Sequence, residues 1–133
     1  SLLWAPNFSI GVAIFTQLVR RAGRLASAVS DFDLALVETH HRGKRDAPSG
    51  TAIRLADSAG AEYGSEIPVT SIRTGFVPGT HELTMDAHFE RISLVHEARD
   101  RRVFAEGALT AAAWLHGRSG VFTMDDVFLM EEE

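Results

Sequence analysis

The sequence predicts an α+β domain, a mixed sheet of about four strands with helices packed on one face. Three observations predict it. Apolar residues recur at helical spacing in three segments, they alternate or run on in four shorter ones, and the two kinds do not follow each other in regular βαβ order. The length of 133 residues, with 45% hydrophobic and 23% charged residues, suits one domain. A domain near this size buries roughly two-thirds of the surface that its unfolded chain exposes.

The elements are justified in chain order. Leu2, Leu3, Trp4 and Ala5 form an apolar run with no cap or turn before it and no initiating methionine, so it reads as the end of a strand cut off from something upstream. Ile14, Leu18, Ala22 and Leu25 then lie at helical spacing, with Phe15 and Val19 widening the stripe and Arg20, Arg21 and Arg24 mostly outside it. Ser9 is the expected N-cap, because its hydroxyl can accept from a free first-turn N–H. From Phe32 to Thr39 the apolar residues are continuous at Leu34 to Val37, which predicts a short strand covered on both faces.

His40 to Pro48 is polar and contains Gly43, so it is a loop, and Pro48-Ser49-Gly50-Thr51 opens a helix with Ala52, Leu55, Ala56, Ala59 and Tyr63 on one face. Pro68 to Arg73 is a weaker strand, and Gly75, Pro78 and Gly79 mark the loop that ends near His81. Leu83, Met85, Ala87 and Phe89 alternate with polar residues, as do Ile92 and Leu94, which predicts a hairpin. A third helix spans about Arg101 to Leu115, with Phe104, Ala108, Ala111, Ala112 and Leu115 on one face. The tail from Gly120 to Met130 is short and apolar before three glutamates.

Composition removes several function classes. With 13 Lys and Arg against 18 Asp and Glu and a net charge of -5, the chain lacks the basic excess of a nucleic-acid-binding module. It contains no cysteine, so thiol catalysis and thiolate metal sites are excluded within it, and a cytoplasmic location is expected. No apolar run approaches the ~18 residues of a membrane-spanning helix, and the opening residues lack the basic start of a signal peptide. A soluble protein with neither nucleic-acid nor membrane partners is expected.

Candidate chemistry concentrates in Glu38-Thr39-His40-His41-Arg42-Gly43-Lys44-Arg45-Asp46, between a strand end and a helix start. The first turn of that helix leaves backbone N–H groups free for an anion, so Gly50 and Thr51 are candidates to grip a carboxylate or phosphate. Lys44 adds a positive charge beside them, and His40 or His41 can supply a proton near neutral pH. The plain alternatives are a solvated histidine pair and an ordinary helix cap. A nucleotide-triphosphate loop does not fit, since the Gly-Lys-Ser/Thr order is absent at the helix start. No metal site is expected, because adjacent His40 and His41 on an extended chain point opposite ways.

Taken as one string, Glu38 through Ala52 resembles the signature E-x-H-H-x-x-K-x-D-A-P-S-G-T-A of the dihydrodipicolinate reductase family, also called 4-hydroxy-tetrahydrodipicolinate reductase. Ala5 through Gly11 resembles that family's interdomain segment, and Arg73-Thr74-Gly75 with Gly79-Thr80-His81 is similar to its R-x-G-x-x-x-G-x-H. Arg101, Phe104, Ala105, Gly107 and Ala108 match the helix near its C-terminus, and Gly120 to Val127 its closing G-x-x-x-M-x-D-V.

The resemblance implies reduction of a cyclic dicarboxylate imine, 4-hydroxy-tetrahydrodipicolinate to tetrahydrodipicolinate, in lysine and diaminopimelate biosynthesis. NADH or NADPH supplies the hydride and a neighbouring carbon is protonated. By the same resemblance His40 corresponds to the proton donor and acceptor and Lys44 to the second catalytic group. His41, Ser49, Gly50 and Thr51 correspond to substrate ligands, and Ala5, Pro6, Asn7 and Phe8 to a loop that touches the cofactor. The family's fold is a mixed four-stranded sheet with helices on one side, whose open faces pack together in a homotetramer.

One departure is large: no two of the 11 glycines are separated by a single residue, so the dinucleotide-binding G-x-G-x-x-G is absent. Residues 1–133 are therefore expected to be the C-terminal substrate-binding and oligomerisation domain, without the N-terminal dinucleotide-binding domain and inactive alone. A non-catalytic small-molecule-binding or oligomerisation domain of the same fold is the alternative.

Overall fold

A computed structural model describes residues 1–128 of the chain. The elements in order are β1 (Leu2–Leu3), α1 (Ile10–Ser27), β2 (Asp33–His40), α2 (Gly50–Tyr63), β3 (Val69–Arg73), β4 (Thr80–Asp86), β5 (Arg91–Glu97), α3 (Arg102–Leu115), β6 (Val121–Phe122) and α4 (Met124–Phe128). Strands β3, β2, β4 and β5 form one mixed sheet in that spatial order, with β2 and β3 parallel and the other pairs antiparallel. The predicted α+β class with its four-stranded mixed sheet is the observed one. The opening apolar run forms β1, which pairs in parallel with β6 in a separate two-stranded sheet. Of the predicted apolar tail, Leu129 and Met130, with the glutamates after them, lie outside the described residues.

The core lies between the helices and one sheet face. Phe15, Val19, Ala22 and Ala26 of α1 and Ala52, Leu55, Ala56 and Ala59 of α2 pack with Leu34, Leu36, Leu83 and Met85 of the sheet. Small residues let the two helices approach closely: a Cβ at Gly23 would lie 2.3 Å from the Ala59 carbonyl oxygen. Both helices start at the expected caps, Ser9 Oγ accepting from Val12 N–H and Ser49 Oγ from Ala52 N–H. Helix α2 ends at Gly64, whose φ of 92° closes the helix in the left-handed region that glycine adopts without cost. A second apolar cluster, Ala13, Ala111 and Met124 with Leu3, Ala5 and Phe8 against it, joins α1, α3, α4 and β1.

Four expectations about faces need correction. Ile14, Leu18 and Leu25 are each about half exposed (52%, 51% and 56%), whereas Val12, Phe15, Val19 and Ala26 are buried. The apolar surface of α1 is wider than one packing face, and the close approach at Gly23 selects the side carrying small residues. Strand β2 is buried on one face only, through Leu34, Leu36, Glu38 and His40, while Ala35, Val37 and Thr39 are half-buried on the open side. Strand β4 stops at Asp86, because Ala87 N–H donates to the Glu90 carbonyl in the hairpin turn, leaving Phe89 on the tip and exposed. On α3, Gly107 and Ala111 are fully buried, whereas Ala112 faces solvent.

Candidate active site

The period of two along β2 places Glu38 and His40 on the helix-facing side, beyond Leu34 and Leu36. Glu38 has no exposed surface. Its Oε1 accepts from an Arg73 guanidinium nitrogen at 2.7 Å and from the Ser49 amide at 3.3 Å, and its Oε2 lies 2.5 Å from His40 Nδ1. Arg73 also donates to the Asp46 carbonyl, so β3, the charged loop and the start of α2 are tied to one carboxylate. Burial alone would raise the Glu38 pKa, but hydrogen bonds from Arg73, Ser71 and His40 outweigh it and bring it down to about 2. Glu38 is therefore an anion, and His40 donates to it through Nδ1–H, which leaves Nε2 as the nitrogen that can exchange a proton.

Burial lowers the His40 pKa, with the Glu38 bond opposing it and the Lys44 and Arg73 charges adding to it. The imidazole is thus mostly neutral at pH 7 and, once protonated, a stronger acid than an ordinary imidazolium. Gly79 packs over the exchangeable nitrogen: a Cβ there would lie 3.0 Å from Nε2. The loop after β2 is held by Arg42 N–H to the Gly75 carbonyl, Thr74 N–H to the His40 carbonyl and Lys44 N–H to the His41 carbonyl. Lys44 Nζ meets Asp46 Oδ1 at 3.0 Å, and this bond lowers the pKa of the exposed Asp46.

At the start of α2 the Ala52 amide is taken by Ser49 Oγ and the Ile53 amide by the Ser49 carbonyl. Helix geometry leaves the Gly50 and Thr51 amides without an intrahelical acceptor, at the positive end of the dipole. Asn7 Oδ1 accepts from Ser9 N–H, and Asn7 Nδ2 reaches Thr51 Oγ1 at 3.4 Å, which links the loop before α1 to this helix start. The backbone of that loop lies against α3, where a Cβ at Gly107 would fall 1.6 Å from the Phe8 carbonyl oxygen.

These elements enclose a cavity of about 590 Å³. It brings together His40, His41, Lys44, Ser49, Gly50 and Thr51 with Pro6, Asn7 and Phe8, all of them singled out in the sequence. Ala5 packs instead in the second apolar cluster. The lining also contains Asp46, Pro78, Arg101 and Phe104. Arg101 and Phe104 belong to a matched motif to which the sequence assigns no role, and what brings them to the cavity is the docking of α3 beside the loop at Phe8. Reading the sequence also left no role for Glu38, although its place two residues before His40 on a strand puts both on one face. Arg73 was equally unassigned, since its contact with Glu38 depends on the parallel β2–β3 register.

Among the described residues, Glu38, His40 and His81 have ligating atoms within 4.8 Å of one another. The Glu38 oxygens already accept from a guanidinium, an amide and an imidazole, so this cluster fits a proton-holding network rather than a cation cradle. No described helix is long and apolar enough to cross a membrane.

Comparison with known proteins agrees with this architecture. The family model described as "Dihydrodipicolinate reductase, C-terminus" matches residues 11–128. The 4-hydroxy-tetrahydrodipicolinate reductase of Methanoregula boonei is 44% identical over 144 residues, covering 96% of this chain and 55% of its own length. That of Stenotrophomonas maltophilia is 47% identical over 118 residues, covering 89% and 48%. The chain thus spans about half the length of the curated relatives it matches. A dihydrodipicolinate reductase from Paenisporosarcina sp. TG-14, solved with dipicolinate bound, has the same fold, with a TM-score of 0.79 at 20% identity over 95% of this chain and 54% of that one. A mixed four-stranded sheet of the expected class, a cavity that gathers the signature residues and a family match across nearly all the described residues converge: the chain belongs to the dihydrodipicolinate reductase family, as its C-terminal domain.

Proposed function

We propose that this chain binds the cyclic dicarboxylate substrate of a nicotinamide-dependent reductase and supplies the proton in its reduction. The observation that carries this reading is one cavity holding an uncommitted helix N-terminus, the Lys44 ammonium and a buried imidazole oriented by a carboxylate. One substrate carboxylate lies at the Gly50 and Thr51 amides, where the helix dipole and Lys44 favour negative charge. Lys44 exchanges its Asp46 partner for the substrate as the anion enters. His41 and Arg101 face the same space and offer donors to the second carboxylate. With the 4-hydroxyl lost from the ring as water, His40, protonated at Nε2, gives its proton to the ring carbon beside the one that takes the hydride, and Glu38 stabilises the imidazolium that precedes the transfer.

When bound, NADH or NADPH supplies the hydride. This chain offers it one wall, Pro6, Asn7 and Phe8, and no glycine-rich turn for its pyrophosphate. The dinucleotide's main binding site therefore belongs to a separate domain, and the chain alone binds substrate without turning it over. Lysine and diaminopimelate synthesis in the cytoplasm is the setting that the relatives' names support. The open sheet face, with Val37, Ile72 and Val95, supports assembly into a homotetramer.

Calorimetric titration with pyridine-2,6-dicarboxylate, a planar mimic, is expected to show binding to the wild-type chain and about ten- to a hundredfold weaker binding to Lys44→Ala, the value of one charged hydrogen bond. In the product of the complete gene, nicotinamide-dependent reduction is expected to fall at least about a hundredfold in His40→Ala. Unchanged rates in both His40→Ala and Lys44→Ala would sink the catalytic assignment and leave a binding domain.

A further inference from the structure

Three adjacent strands change character at the same rung of the sheet. On the helix-facing side, Leu36 pairs with Leu83 and Leu83 with Leu94. One rung nearer the cavity, Glu38 pairs with His81 and His81 with His96. The pattern of β4, His81 then Leu83 then Met85, puts an imidazole where the packing of the core calls for another aliphatic side chain. His81 is 2% exposed, and neither ring nitrogen has a hydrogen-bond partner. A buried polar ring in that condition destabilises the fold, so its presence at this rung calls for another explanation.

Its position supplies one. The His81 ring stands nearly perpendicular to the His40 ring, at 74° with centroids 5.3 Å apart. His40 is then confined by Glu38 at Nδ1, by Gly79 over Nε2 and by the His81 ring. His81 does not line the cavity. We propose that His81 is a positioning residue, whose ring contact holds the His40 imidazole against Glu38 and keeps Nε2 as its free nitrogen. The consequence for turnover rests on the reading of His40 as the proton donor; the contact itself does not.

The groups about His40 are Glu38 on its own strand, Arg73 on β3, His81 on β4 and Lys44 on the loop, with His41, Asp46 and Arg101 lining the same cavity. Of these, His81 stays neutral near pH 7, because burial holds its pKa down at about 4. It therefore acts on His40 through shape and dryness rather than charge.

The test is the His40 titration followed by NMR in this chain, joined to kinetics in the complete gene product. His81→Ala opens space for water beside His40 and is expected to raise the His40 pKa by about half a unit or more, because burial is what lowers it. It is expected to reduce kcat about tenfold with KM changed less than about twofold, since His81 does not line the cavity. His81→Phe keeps the ring and drops the unpartnered nitrogens, so both the titration and kcat should stay near wild type. An unmoved titration in His81→Ala would overturn the proposal, as would a loss in His81→Phe equal to that in His81→Ala. Unchanged turnover in His40→Ala beside a shifted titration in His81→Ala would remove the catalytic reading and uphold the contact.

Discussion

Glu38 is fully buried and still ionised, because the Arg73 and His40 side chains and the Ser49 amide outweigh the loss of water around it. Its pKa falls from 4.5 to about 2, so its stabilisation is complete above pH 4.5 and is lost as pH drops toward 2. His81 adds an earlier loss. Its pKa falls from 6.5 to about 4, so the unfolded chain takes up a proton first as pH drops through 6.5, and folding weakens from there down to 4. Urea denaturation midpoints are therefore expected to fall in two stages, with His81→Phe shrinking the upper, to which the lowered His40 and His96 also contribute, and Glu38→Gln flattening the lower; a profile flat from neutral pH to about pH 3 would contradict both. For His40 the sign concerns activity. If its protonated form gives up the proton, kcat/KM falls as pH rises through the His40 pKa, which burial places below 6.5. His40 and Lys44 were legible as candidates because a titratable ring and a cation fall just before a helix start that can hold an anion. Glu38 and Arg73 were not, because their importance lies in meeting each other across two strands.

At the scale of elements, α2 ties the most of the cavity together in the least chain. Its cap Ser49 accepts from Ala52 N–H while its own amide reaches Glu38, so one residue starts the helix and joins it to the Glu38–His40 pair. Ser49→Ala is expected to cost about 1 kcal/mol of stability and to weaken dicarboxylate binding, as chemical denaturation and calorimetry would show. The pairing of α1 with α2 depends on absent side chains. Gly23→Ala would drive a Cβ to 2.3 Å from the Ala59 carbonyl, a backbone atom that cannot step aside. A loss of about 1–3 kcal/mol is expected from that overpacking, seen as a lowered Tm. Element positions were legible because the caps, the helical spacing and the period of two are local signals. The buried side of α1 was not, because Ile14, Leu18 and Leu25 are as apolar as the residues that pack, and only the fit to α2 separates them.

For the whole molecule, the one-sided sheet poses the question of what covers its other face. Continuous apolar residues in β2 predicted a strand buried on both sides, and one chain buries only one. Light scattering at micromolar concentration is expected to report an oligomer of this chain, and Val37→Glu, placing a charge at the middle of the open face, is expected to dissociate it. A monomeric wild type would remove the tetramer from the proposed function. The cavity is likewise a property of the whole chain, since its walls come from the loop at Asn7, the loop after β2, the start of α2 and the start of α3.

By itself the sequence determined the class of fold, the caps and extents of the main helices and the polar segment whose residues line the cavity, all of which follow from residues close together in the chain. Only the tertiary structure decided which apolar face of α1 is core, that Arg73 and Glu38 hold His40, and that His81 stands against its ring. Those depend on strand register and helix approach between residues such as Gly23 and Ala59 or Glu38 and Arg73, far apart along the chain, and local patterning carries no record of such distances.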